Sequence, residues 1–354
     1  MQTWENLKKN PQFFERYFVK EYLLAAIRKY FSERKYHELE VPILTNALPQ
    51  ERYLDVLTTN IALQNGTIHQ AYLIPTTETF NKKILAAGLG NHFVISKVFR
   101  ALEEISTNHS PEFTMLEWYT LGKDYFFLMK QTQDLLRKII KETFKKLKKK
   151  YNGKLFYQGQ EVDLQSEFYR FSVPDLVKKY LGVSLDKIQT VEAFRTELMK
   201  FISVSESSDW QTVFELFMAN LVEPELKWDR PVFIYNFPKI LCPLVKPNKK
   251  NHLVSEKVEL YIAGKEVANG YSELTDWKLQ EANFLVEEQA RKELGKSPVA
   301  FDHELVKALK AGMPEVAGIG MGIDRLAMMV ANATTISEIN YFPASEAFEE
   351  EGKK

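Results

Sequence analysis

Apolar positions along the chain fall into two rhythms, and each predicts its own elements. Phe13, Tyr17, Leu24, Ile27 and Phe31 keep near-helical spacing and predict a helix over 11–34, with Pro11 suited to its first turn. A short strand over 38–41, stopped by Pro42, follows. Further strands are predicted at 69–74, 92–99 and 112–119. A helix over 79–87 lies between the first two of these, with Thr76 or Thr77 placed to accept from its first amides. From about 123 to 228 the texture changes. A helix over 125–151 ends in a basic run, a hairpin or extended linker covers 159–172, and a second helical stretch covers 173–221. This predicts a helical insertion at about 123–228 between two halves of one core. Strand patterning resumes at 232–237, 258–262 and 265–270, helices at 277–294 and 302–311, and a glycine-punctuated strand over 316–325 runs into a helix over 326–331.

Polar residues placed on this frame suggest chemistry. On the strand over 112–119, Phe113, Met115, Glu117 and Tyr119 share one face, and Glu112, Thr114, Leu116 and Trp118 the other. Its hairpin partner ends in Arg100, and the loop between them carries acids and a histidine. Such a hairpin suits a nucleotide: Arg for a phosphate, His and Glu for the rest, Phe113 as a ring face for a base. An ordinary surface hairpin fits the same pattern. Gly318, Gly320 and Gly322 alternate, so they face one way and leave either a ligand floor or a tight strand–helix contact. Glu259 and Glu266 flank a turn at Gly264 and could face each other across a hairpin, where Mg²⁺ would relieve their repulsion. Each could equally face solvent. Glu78, Glu117 and Glu273, if they converge, select a cationic amine, with Tyr119 and Tyr271 supplying hydroxyls; otherwise they are three unrelated surface acids.

Composition narrows the class. The 354 residues are 45% hydrophobic and 13% aromatic, enough for one large core. Lys+Arg and Asp+Glu are both 47, so no global field advertises nucleic acid or an anionic membrane. The one cysteine, Cys242, cannot form an internal disulfide, and the N-terminus lacks an apolar signal core. These features point to a cytoplasmic protein with no membrane span.

Three blocks, FRALEEISTNHSPEFTMLEWY, GKEVANGYSELTD and GIGMGIDRLAMM, stand in the order of the motifs of class II aminoacyl-tRNA synthetase catalytic domains, which they resemble. They are most similar to lysyl-tRNA synthetases and to the short paralogues that ligate lysine or β-lysine to elongation factor P. ELEVP, CPLVK and YFP add shorter echoes, and the resemblance runs from about 14 to 343. It implies an α+β fold, a mainly antiparallel sheet flanked by helices, spanning 1–354 and dimeric through the segment around Pro42. The anticodon-binding barrel of full lysyl-tRNA synthetases is expected to be missing.

The resemblance also implies roles. ATP would bind bent, with Arg100 on the α-phosphate, Phe113 and Arg325 sandwiching the adenine, Glu103 and His109 contacting the nucleotide, and Glu259 and Glu266 carrying Mg²⁺. Glu78 would take the α-ammonium of the amino acid. Glu273 and Tyr119 would grip the ε-ammonium, with Glu117, Asn269, Tyr271 and Gly320 completing the pocket. The sequence departs from the pattern at Asn108, where an arginine usually precedes the histidine, and in a loop one residue longer. Gly320 matches the lysyl-tRNA synthetases rather than the β-lysine paralogues, which carry alanine. The expected function is ATP-dependent activation of lysine, or a lysine-like amino acid, and transfer to a lysine side chain of elongation factor P. The alternatives are transfer to tRNA and a non-catalytic paralogue that binds lysine or ATP.

Overall fold

A computed structural model of the chain describes residues 3–101 and 106–348. Its centre is an eight-stranded sheet in the spatial order His37–Leu39, His92–Phe99, Glu112–Leu121, Val316–Gly322, Lys265–Ser272, Val254–Ile262, Val232–Pro238 and Tyr169–Ser172. All neighbours are antiparallel except the two outermost pairs, where His37–Leu39 and Tyr169–Ser172 each lie parallel to the strand beside them. This is the mainly antiparallel α+β sheet that the resemblance implies.

The strand Glu112–Leu121 shows how the two faces differ. Leu116 and Trp118 point into the main core with Phe31 and Phe93, whose rings stack at 4.8 Å between centroids. Trp118 is fully buried, and its indole N–H donates to Gln131 Oε1 at 2.9 Å, so no polar atom is stranded by the burial. Helices Phe14–Ser32, Tyr125–Lys146 and Ile323–Val330 close this face. In Tyr125–Lys146 the buried Leu128, Thr132, Leu135, Leu136, Ile139 and Thr143 recur at helical spacing, and Asp124 caps the start by accepting from Phe127 N at 2.9 Å. Met115, Glu117 and Tyr119 point the other way, to a cavity.

The stretch 123–228 holds strands as well as helices. Tyr125–Lys146 packs on Phe14–Ser32 and on the main sheet. The hairpin Lys154–Tyr157 with Gln160–Asp163 follows, and then the edge strand Tyr169–Ser172. Helices Val173–Leu181, Val191–Leu198 and Trp210–Phe217 gather a second core around Phe194, Trp210 and Phe217.

Some boundaries differ from the sequence pattern. The helix expected from 326 begins at Ile323, because the strand ends at Gly322. Thr77 holds the N-cap position of Glu78–Ala86 without a capping bond; Thr76 Oγ1 accepts from Glu78 N instead, at 3.1 Å. Glu259 and Glu266 are not directly opposite each other. A register shift between Leu260 and Tyr261 pairs Glu259 with Asn269 and Glu266 with Tyr261, around a turn whose Ala263 and Gly264 both have positive φ. Among the described residues no helix is long and apolar enough to cross a membrane.

Candidate active site

Three adjacent strands make the floor. In register, Glu117, Gly320 and Asn269 form one cross-strand row, and Tyr119, Gly318 and Tyr271 the next. The middle strand thus supplies glycine wherever its neighbours supply a long polar side chain. The reason is spatial. A Cβ on Gly318 would lie 2.4 Å from the Tyr119 ring and 2.5 Å from Glu273 Oε1, whereas one on Gly320 would lie 3.4 Å from Met115 Sδ and 3.7 Å from Glu117 Cγ. Above this floor lies a cavity of about 370 Å³. It is lined by every predicted site residue except Glu103, which lies outside the described residues, and Glu259, which stands just behind the wall.

At one end the acids do converge. Glu78, Glu117 and Glu273 are all buried and all face the cavity, as do Tyr119 and Tyr271. A cation already sits among them. Lys82 is fully buried, with Nζ 2.5 Å from Glu78 Oε1 and 2.8 Å from Glu273 Oε2. Burial works against its charge, but Glu273 and Glu78 outweigh that and hold its pKa above the ordinary lysine value. Burial also pushes the Glu273 carboxyl up to about 8, in spite of Lys82. Tyr271 OH donates to Glu78 Oε2 at 2.5 Å. Glu117 is held separately: Thr76 Oγ1 and Thr77 N donate to its Oε1 at 2.6 and 2.9 Å, and Tyr119 OH to its Oε2 at 3.2 Å. Burial raises its pKa too.

The other end carries cations and a second acidic pair. Arg100 lies against the Phe113 ring, 5.4 Å from its centroid, and its buried Nε has no hydrogen-bond partner among the described residues. Arg325 Nη1 donates to the Glu266 carbonyl. Burial, with Glu259 nearby, pushes the Glu266 carboxyl up to about 7. Glu259 itself is engaged: Lys257 Nζ lies 2.8 Å from its Oε1, and Tyr261 OH donates to its Oε2 at 2.8 Å. His109 Nδ1 lies 3.2 Å from Ser106 Oγ. Asp324, which precedes Arg325, ties the helix start to the hairpin by accepting from Thr114 N at 2.5 Å while pairing with Lys20, also at 2.5 Å.

Sequence reasoning missed Lys82, Lys257, Asp324 and Glu51. Lys82 carried a usable signal, since it stands four residues after Glu78 on a predicted helix and therefore on the same face. Lys257 likewise stands two residues before Glu259 on one strand.

A sheet of this kind with a two-ended cavity, acidic at one end and rich in arginine at the other, defines the class. The chain matches the tRNA synthetases class II (D, K and N) family over residues 3–346; it belongs to that family and is a ligase that forms an aminoacyl-adenylate. Its relatives narrow the kind. It is 31% identical to the lysine–tRNA ligase of Latilactobacillus sakei over 100% of this chain and 68% of the relative. It is 33% identical to that of Enterococcus faecalis over 97% and 66%. To the elongation factor P–(R)-β-lysine ligase of Mannheimia succiniciproducens it is 31% identical, over 93% of this chain and 95% of the relative.

Proposed function

We propose that this enzyme activates lysine or a close isomer with ATP and transfers it to a lysine side chain of elongation factor P. The observation that carries the lysine part is the acidic end of the cavity, where Glu78, Glu117 and Glu273 gather with Tyr119 and Tyr271. A buried acidic cup of this kind favours an amino acid with a second ammonium group over a neutral one. At the other end Arg100, whose Nε has no partner among the described residues, would take the α-phosphate and stabilise the charge that builds as the amino acid's carboxylate attacks. Phe113 and Arg325 would hold the adenine, with Glu103 and His109 on the rest of the nucleotide. Pyrophosphate leaves, and the acceptor's nucleophile then attacks the carbonyl carbon of the mixed anhydride and expels AMP.

Mg²⁺ fits the donor set. Glu266 makes no side-chain bond or ion pair among the described residues, and its raised pKa is relieved by a cation beside it. Glu266 and Glu259 would hold the ion, and bound with ATP it supplies compensation of phosphate charge. Lys257 already gives Glu259 part of that compensation.

Support for the protein acceptor comes from the relatives named as elongation factor P ligases, which are 31–32% identical to this chain. A second reading, transfer to tRNA, is favoured by Gly320 and by the lysine–tRNA ligases among the relatives. We place the enzyme in the cytoplasm, as a homodimer. Incubation with ATP, labelled α- or β-lysine and either acceptor separates the readings. Label is expected on elongation factor P; label on tRNA alone would eliminate the protein-ligase reading. Absence of lysine-dependent pyrophosphate exchange would leave only a non-catalytic binder.

A further inference from the structure

The acids expected to receive the substrate's ammonium groups are already occupied to differing degrees. Glu78 has Lys82 on one oxygen and Tyr271 on the other; Glu117 has two threonines and a tyrosine; Glu273 has Lys82. Of the further carboxylates that line the same cavity, Asp324 is paired with Lys20 and Glu266 is assigned to the metal, which leaves Glu51, and it meets no hydrogen-bond donor or ion-pair partner among the described residues.

Its placement is built. Residues 50–55 form neither helix nor strand, yet they are fastened from the outside by helix Trp277–Glu293 and the segment after it. Gln50, almost wholly buried, donates to the Val299 carbonyl at 3.1 Å. Arg52 clasps Glu287 through Nε and Nη2, at 3.0 and 2.6 Å, and its backbone N–H donates to the same carboxylate at 2.9 Å. Arg291 Nη1 donates to the carbonyls of Glu51 and Leu54 at 2.8 and 2.6 Å. The backbone of Glu51 is therefore fixed by buried polar groups on one side, while its side chain looks into the cavity on the other.

We propose that Glu51 receives the ammonium group nearest the carboxylate being activated, sharing with Glu78 a role that the resemblance gives to Glu78 alone. Glu51 lines the same cavity as Glu78 of the amino-acid end and Arg100 of the phosphate end. A half-buried carboxylate without a partner costs folding free energy that an arriving cation returns. Burial, with Glu78 adding to it, has pushed its pKa up to about 7. Arg100, on the same cavity, has its own buried donor waiting. An amino acid presents both missing partners together: a carboxylate that becomes the acyl half of the mixed anhydride near Arg100, and an ammonium one or two carbons away.

This rests on the lysine-activating reading, and the test keeps the two apart. Pyrophosphate exchange is measured for wild type and Glu51→Gln with whichever of α- and β-lysine the wild type uses better. 6-Aminohexanoate, which lacks the inner amine, and 2-aminohexanoate, which lacks the terminal one, serve as competitive inhibitors. The substitution is expected to raise KM for lysine at least tenfold, to leave KM for ATP within twofold, to weaken 2-aminohexanoate and to leave 6-aminohexanoate unchanged. An unchanged unfolding midpoint shows that the variant folds, as expected for a side chain with no bonds to lose. Active wild type with an unaltered lysine KM in Glu51→Gln overturns this assignment alone. So does equal weakening of both analogues. A wild type that exchanges with neither lysine isomer overturns both readings.

Discussion

Lys82 changes how the acidic end has to be read. Three acids without a cation would repel one another; with Lys82 between Glu78 and Glu273 the apo pocket is held together and keeps a net negative charge. Glu273→Gln removes a charge that faces both Lys82 and the expected ε-ammonium. At pH 8.5, where that carboxyl is charged, lysine-dependent kcat/KM is expected to fall about 100-fold, equivalent to ~2.7 kcal/mol, with ATP binding retained. The same carboxyl titrates high because it is buried, at about 8. It is protonated below that pH and charged above it, so wild-type kcat/KM for lysine is expected to climb between pH 6.5 and 8.5, and Glu273→Gln to lose the upper part of the climb. Unchanged lysine kinetics in this variant would show the pocket to be misassigned. At this scale the sequence was partly legible. Residue types and motif order marked most of the side chains around the cavity, but not Glu51, which sits in an irregular segment whose position is set by a helix more than 200 residues away in the chain.

At the scale of elements, the site depends on one strand having almost no side chains on one face. Alternation alone predicted that Gly318 and Gly320 look the same way; only the register showed that their surroundings differ. Gly318→Ala forces its new methyl into Tyr119 and Glu273, and is expected to destabilise the fold by about 1–3 kcal/mol and abolish lysine activation. Gly320→Ala meets its neighbours at ordinary contact distance, and its unfolding midpoint should stay within about 2 °C of wild type. Calorimetry of both variants checks the contrast; equal loss in both would contradict it. Strands and helices with strong periodicity were legible throughout. What was not legible was the four-residue start of Val254–Ile262, where Ser255, Glu256 and Lys257 interrupt the apolar run, and the shift after Leu260 that keeps Glu259 and Glu266 from pairing. Backbone pairing decides both, and it leaves no trace in local composition.

At the scale of the molecule, the sheet ends in two short parallel edge strands, and a smaller sheet of Leu44–Thr45, Ile68–Leu73 and Thr58–Ala62 stands beside the first. Ile43, Leu44, Ile61 and Ile68 are exposed on and around it, close to the Pro42 segment through which the resemblance expects a dimer. Sedimentation is expected to give twice the 41.2 kDa chain mass, and a species at the single-chain mass at micromolar concentration would remove the dimer from the proposal.

The tenant lysine has a consequence for fidelity. Because Lys82 already balances part of the acidity, what an incoming amino acid must neutralise is the remainder, and a mimic one positive charge short leaves a desolvated carboxylate with nothing to answer it. Sites that reject by stranding a polar group discriminate by roughly 10⁴–10⁵. On the proposed chemistry, norleucine can occupy the inner part of the site but, like glutamine, is activated too slowly for the enzyme to need any downstream hydrolysis of wrong products.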